Sequence, residues 1–166
     1  MWIRTETEAD HAAIRDVIGA AFAGQPGDGG PEQRIVDALR EAQALSLSLV
    51  ADIDGRIAGH IAFSPVTLSP ATTGQWYGLA PIAVLPRDQR HGVGKALVRA
   101  GLTELERMRA AGCVVLGEPG FYQQFGFRAG EGARLANVPP EYFMALALGG
   151  TIPDGEVRYH TAFGLT

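Results

Sequence analysis

Residues 87–95 gather three basic side chains, Arg87, Arg90 and Lys95, around two glycines, Gly92 and Gly94. The segment Gln89-Arg90-His91-Gly92-Val93-Gly94-Lys95 follows an apolar run, Trp76 to Val84, that reads as a strand. It precedes a run with Leu97, Val98, Leu102, Leu105 and Met108 at helical spacing. A strand-to-helix junction points free backbone N–H groups and the positive end of a helix dipole at one spot. Glycine lets the backbone approach an anion with no Cβ in the way. The chemistry these residues suit is phosphate binding. Two familiar phosphate loops fail: the dinucleotide pattern needs a third glycine where Leu97 stands, and the P-loop needs glycine at Gln89 and Ser or Thr at Ala96. A nucleotide-binding domain is therefore disfavoured.

Proton chemistry has fewer candidates. Glu118 follows the apolar run Cys113 to Leu116, where a carboxylate can take a proton or hold a cationic amine. His60 lies in a predicted strand and titrates in a range that suits a base. Ser64 and Glu32 are weaker candidates for lining an acceptor pocket. Cys113 reads as a small buried hydrophobe. No His, Cys and Asp/Glu grouping has metal-ligand spacing, so no metal is expected.

The elements that must position these groups follow from periodicity. Thr7-Glu8-Ala9-Asp10 resembles a capping box, and Ile14, Val17, Ile18 and Phe22 predict a first helix to about Ala23. Gly24 to Gly30 is a glycine-rich loop, and Pro31 suits the start of a second helix with Ile35, Val36 and Leu39 inward. Residues 46–51 and 56–66 predict a hairpin turning at Asp54-Gly55. Pro81 places a bulge or an edge inside the 76–84 strand. A third helix starts near Gly94 and ends at Gly112. With the strand at 113–116 it makes a βαβ unit, so the two strands should be parallel. Pro119 to Phe125 predicts a short helix closed by Gly126, and residues 143–148 and 157–159 predict a final hairpin. The fold class is α/β in the α+β sense, a mixed sheet carrying helices.

The chain has 166 residues, enough for one domain over 1–166, with a net charge of −4 and apolar residues at 46%. The acidic balance argues against nucleic-acid binding. One cysteine excludes an internal disulfide framework. No apolar run reaches the roughly 20 residues of a membrane span, and the N-terminus lacks a signal-peptide layout. A cytoplasmic protein with no membrane partner is the expectation.

The run Ile82-Ala83-Val84-Leu85-Pro86-x-x-Gln89-Arg90-x-Gly92-x-Gly94-x-x-Leu97-Val98 resembles motif A of the GNAT N-acetyltransferase superfamily, (Gln/Arg)-x-x-Gly-x-(Gly/Ala). Phe121-Tyr122-x-x-Phe125-Gly126-Phe127 resembles a later motif of that family. Gly59-His60-Ile61-x-Phe63-Ser64-Pro65-Val66 and Pro139-Pro140-Glu141-Tyr142-Phe143-Met144 resemble stretches of its YhbS-like branch. The resemblance implies a mostly antiparallel GNAT-like sheet with one parallel βαβ unit and a splay between its two parallel strands. It implies acetyl-CoA as cofactor and CoA as product, with pantetheine along Ile82, Ala83 and Val84 and the pyrophosphate on the amides of Arg90, His91, Gly92, Val93, Gly94 and Lys95. The Gln89 side chain would line that loop, and the Val84 N–H would polarise the thioester carbonyl. Tyr122 matches the family's general acid. The implied reaction is direct attack by a primary amine within a ternary complex, the work of an acyltransferase of class EC 2.3.1.-. The acceptor is a small-molecule amine or a peptide or protein amine, and the protein a monomer or homodimer. A non-catalytic acyl-CoA-binding or sensor module on the same fold is the alternative from another class.

Overall fold

The computed structural model describes residues 1–164. The chain divides into two units, residues 1–63 with 80–103, and residues 64–79 with 104–166.

The first unit opens with a strand absent from the sequence-based reading, β1 (Trp2–Thr5). It pairs antiparallel with β2 (Leu47–Ile53). Helix α1 (His11–Ala21) stops two residues short of expectation and buries Ile14, Val17 and Ile18, the i, i+3, i+4 stripe the spacing dictates. Its entry is fixed by Asp10, whose carboxylate accepts from the Thr7 N–H at 2.7 Å and from Arg4 at 2.7 and 3.0 Å. Helix α2 (Gly30–Glu41) has Pro31 in its first turn and buries Val36 and Leu39, while Ile35 is half-buried. Strand β3 (Arg56–Ser69) returns from β2 through Asp54 and Gly55, both at positive φ, as a two-residue turn of this kind demands. The C-terminal part of β4 (Trp76–Val84) and the start of α3 (Val93–Arg107) complete the unit. Its core joins Ile14, Val17, Ile18, Val36, Val50 and Ala83.

The second unit holds the other ends of β3, β4 and α3. Strand β5 (Gly112–Leu116) pairs parallel with β4, as the βαβ reading requires. The ladder is short, Trp76↔Gly112 to Gly78↔Val114, although β4 runs on to Val84. Helix α4 (Pro119–Tyr122) continues as a 3-10 turn to Phe125, and Gly126 follows at φ 99°. Short strands β6 (Arg128–Ala129) and β7 (Ala133–Arg134) precede β8 (Phe143–Ala147) and β9 (Gly155–Arg158). The expected final hairpin does not form. Strand β8 pairs with β5 and β6, and β9 pairs with β3 and β7. The β7–β9 contact is a second, two-residue parallel pair. Trp76, Val114, Phe143, Val157 and Tyr159 anchor the core of this unit.

Helix α3 ends at Arg107, not at Gly112. The left-handed residue beyond it is Arg109, at φ 59°, and Met108, expected inward, is 42% exposed. Gly112 instead opens β5, where a Cβ would lie 2.3 Å from the Trp76 ring.

Candidate functional site

In the first unit the junction from β4 to α3 is held in shape by side chains beneath it. Asp88, in a 3-10 turn over Pro86–Asp88, accepts two hydrogen bonds from Arg56, at 2.7 and 2.9 Å. The Arg56 guanidinium holds the Asp88 carboxyl below the usual carboxylate range. The Leu85 N–H donates to the Ala58 carbonyl at 2.8 Å, and Gln89 Nε2 donates to the Val84 carbonyl at 3.0 Å. Gln89 thus ties the loop to the end of β4.

Beyond Gln89 the backbone turns left-handed at Arg90, φ 66°, and at Gly92, φ 85°. Among the described residues, Ala96 is the first of this stretch to donate a backbone hydrogen bond, to the Gly92 carbonyl at 3.0 Å. The amides from Arg90 to Lys95 have no backbone acceptor; the last four, Gly92 to Lys95, are the ones any helix N-terminus leaves free, and Arg90 and His91 extend the set. Arg90, His91, Gly92 and Lys95 are exposed, Gly94 is half-buried and Val93 is buried. A Cβ at Gly92 would touch nothing within 4 Å, so the space over it is open. A Cβ on Gly59 of β3 would lie 3.0 Å from the Leu97 side chain and 3.1 Å from both Val93 and the Ala83 carbonyl, so glycine there lets the start of α3 seat against the strands. Ile82 and Val84 are half-buried.

Sequence reasoning had no signal for the Arg56–Asp88 pair, because 32 residues separate its members. It also had none for the network around His60. That side chain is fully buried, with Nε2 2.8 Å from Ser48 Oγ and Nδ1 without a partner. Ser48 donates to Glu6, which also accepts from Arg40 at 3.0 and 3.2 Å and lies 2.8 Å from His11. Since the one hydroxyl proton goes to Glu6, His60 must donate from Nε2 to Ser48. Burial, with help from Arg40, lowers the His60 pKa to about 4. Glu32 is half-buried in the first turn of α2.

In the second unit, Tyr122 closes α4, its ring edge-on to Phe121 at 5.0 Å and to Phe127 at 5.8 Å. Gly117 makes room for it, since a Cβ there would lie 2.5 Å from the Tyr122 ring. Burial pushes the phenol pKa up to about 12. Glu118 stands one helical turn before it, and its carbonyl accepts from the Tyr122 N–H at 3.2 Å. The Glu118 side chain is exposed and caps nothing. Ser64 is fully buried and its hydroxyl has no partner. Cys113 is enclosed, and burial raises its thiol pKa. Among the described residues no group of three His, Cys, Asp or Glu side chains could hold a metal ion, and no helix is long and apolar enough to cross a membrane.

A mixed sheet with a βαβ unit and an open, cation-flanked amide loop at the strand-to-helix junction is the architecture that the family resemblance implies. Residues 2–130 match the family model for the acetyltransferase (GNAT) domain. The chain is 37% identical over 128 residues to the uncharacterized N-acetyltransferase YhbS of Escherichia coli K12, covering 76% of this chain and 73% of that protein. A GNAT family acetyltransferase from Brucella melitensis, solved with acetyl-CoA, superposes with a TM-score of 0.85. It is 48% identical, and the match covers 98% of this chain and 97% of that one. YhbS from Escherichia coli, solved with CoA, superposes with a TM-score of 0.87 at 32% identity, covering 98% and 91%. The chain belongs to the GNAT acetyltransferase family.

Proposed function

We propose that this chain transfers an acetyl group from acetyl-CoA to a primary amine, and that residues 1–166 work as one N-acetyltransferase domain. The observation that carries this is the set of unpaired amides from Arg90 to Lys95 beneath the open space over Gly92. Such amides, with the α3 dipole and the charges of Arg90 and Lys95, suit a diphosphate. The two relatives solved with acetyl-CoA and CoA support the choice of cofactor.

In this reading Ile82, Ala83 and Val84 present backbone to the pantetheine arm, and the Val84 N–H donates to the thioester oxygen as negative charge builds there. The amine nitrogen bonds to the thioester carbon, and the C–S bond breaks. Tyr122 hydrogen-bonds the departing sulfur and passes it a proton. The proton lost by the nitrogen goes to Glu118, directly or through water, and returns to the phenol. An acceptor that arrives as an ammonium first gives one proton to solvent by way of Glu118; a second proton then moves from nitrogen to sulfur, and the charges balance. Tyr122 is suited to this because a phenol near 12 stays fully protonated at neutral pH. Glu32 remains a proposed contact for the acceptor. His60 and Ser64 take no part, because their side chains are enclosed.

Gly92→Glu tests the cradle by placing a carboxylate where the diphosphate should sit. Calorimetry should show CoA affinity reduced by at least about a hundredfold, or about 2.7 kcal/mol, with the circular dichroism of the fold retained. Unchanged affinity would remove the loop from cofactor binding.

A further inference from the structure

Among the described residues the fold leaves five large apolar side chains exposed, Met1, Trp2, Met108, Leu116 and Tyr142. Two of them, Leu116 and Tyr142, line one concavity of about 380 Å³ in the second unit, with Gly117, Glu118, Val138 and Pro139. The backbone explains why this space is not filled. Leu116 ends β5 opposite Phe143, the first residue of β8. The Gly117 N–H then donates to the Tyr142 carbonyl at 2.9 Å, which fixes the two strand ends together. Pro139 and the 3-10 turn Pro140–Tyr142 stiffen the opposite wall. The apolar walls are therefore held apart by main-chain geometry.

Glu118 is the one charged residue of this lining. Asp10, Asp88 and Asp154 each carry an arginine. No arginine, lysine or histidine lies on Glu118 among the described residues. An unpartnered carboxylate beside apolar walls attracts a cation, and an aromatic face such as Tyr142 favours the same sign. The walls favour a body that sheds water, and the volume lies at the small end of ligand pockets.

The geometry points to an acceptor that is a cationic primary amine bearing an apolar, ring-sized body. Its ammonium lies on Glu118 and its body on Leu116, Val138 and Tyr142. This names the acceptor class and so rests on the acetyl-transfer reading. Glu118 and Tyr122 bound the same helix, so the pocket and the proposed proton donor share one element.

The test uses 2-phenylethylamine, with ethanolamine lacking the body and 3-phenylpropionate lacking the cation. Thiol release should give 2-phenylethylamine a kcat/KM at least about tenfold above ethanolamine. Leu116→Ser should erase most of that preference. Glu118→Gln should raise the Kd for 2-phenylethylamine by about tenfold or more, read by ligand-observed NMR, while CoA affinity holds in both variants. Equal kcat/KM for the two amines overturns the assignment, as does an unaltered preference in Leu116→Ser. So does binding of 3-phenylpropionate as tightly as the amine, or displacement of the amine by CoA. If CoA binds and no amine turns over, the acetyl-transfer reading fails. The NMR titration of the parent and Glu118→Gln then decides the pocket by itself.

Discussion

Tyr122 and His60 show how little a residue's type says before its surroundings are known. Both are buried and both titrate away from their ordinary values, for the same reason: burial disfavours the charged form. Tyr122 keeps its proton, which suits a donor. Tyr122→Phe should therefore lower kcat by about a hundredfold to ten-thousandfold while CoA affinity by calorimetry changes little. An unchanged kcat would remove the phenol from the chemistry. His60 refuses a proton. In the unfolded chain it titrates near 6.5, in the folded chain near about 4. Above 6.5 both states are neutral. As pH falls below that value only the unfolded chain takes up the proton, so stability is lost down to about 4. The loss is on the order of 3 kcal/mol. His60→Gln retains a donor for Ser48 and removes the titration. Its urea midpoint should drop less than the parent's between pH 7 and pH 4.5; equal drops would assign the acid sensitivity elsewhere.

Elements were legible where local chemistry decides them. Asp54-Gly55 had to turn, and β4 has the bounds Trp76–Val84 that its apolar run marks. Loop 89–95 was readable because its glycines and bases lie within one junction. Pairing partners were not readable. The runs at 143–148 and 157–159 carry a strand pattern, but the pattern cannot say that β8 lies on β5 and β9 on β3. Strand β1 was missed because four residues carry too little alternation. Gly112 was misread because glycine has two uses: freedom of φ, and absence of a Cβ. Here the second applies, against Trp76 at 2.3 Å and the Leu146 carbonyl at 2.6 Å. Gly112→Ala should cost about 1–3 kcal/mol, seen as a lower melting temperature. Gly120→Ala, with nothing within 4 Å, should not. Equal melting temperatures would mean that β5 shifts at no cost.

For the whole molecule, the net charge is −4, so the exposed Arg87, Arg90 and Lys95 form a local reversal of sign. A polyanion that settles there stabilises the folded chain by mass action. CoA at a hundred times its Kd should add about 2.7 kcal/mol and raise the melting temperature by about 5–11 °C. ATP at the same concentration should shift it less and leave CoA bound. No shift with CoA would contradict cofactor binding by the folded chain. The clasp between Arg56 and Asp88, with the Gln89 amide on Val84, bears on how fast that event happens. Freezing a loose residue costs about 1–2 kcal/mol, and about seven such residues would consume most of a micromolar affinity, about 8 kcal/mol. Folding has already set those dihedrals. In the proposed reading, capture of the diphosphate is a docking onto a finished surface, its speed governed by diffusion and ionic strength rather than by rearrangement of the main chain.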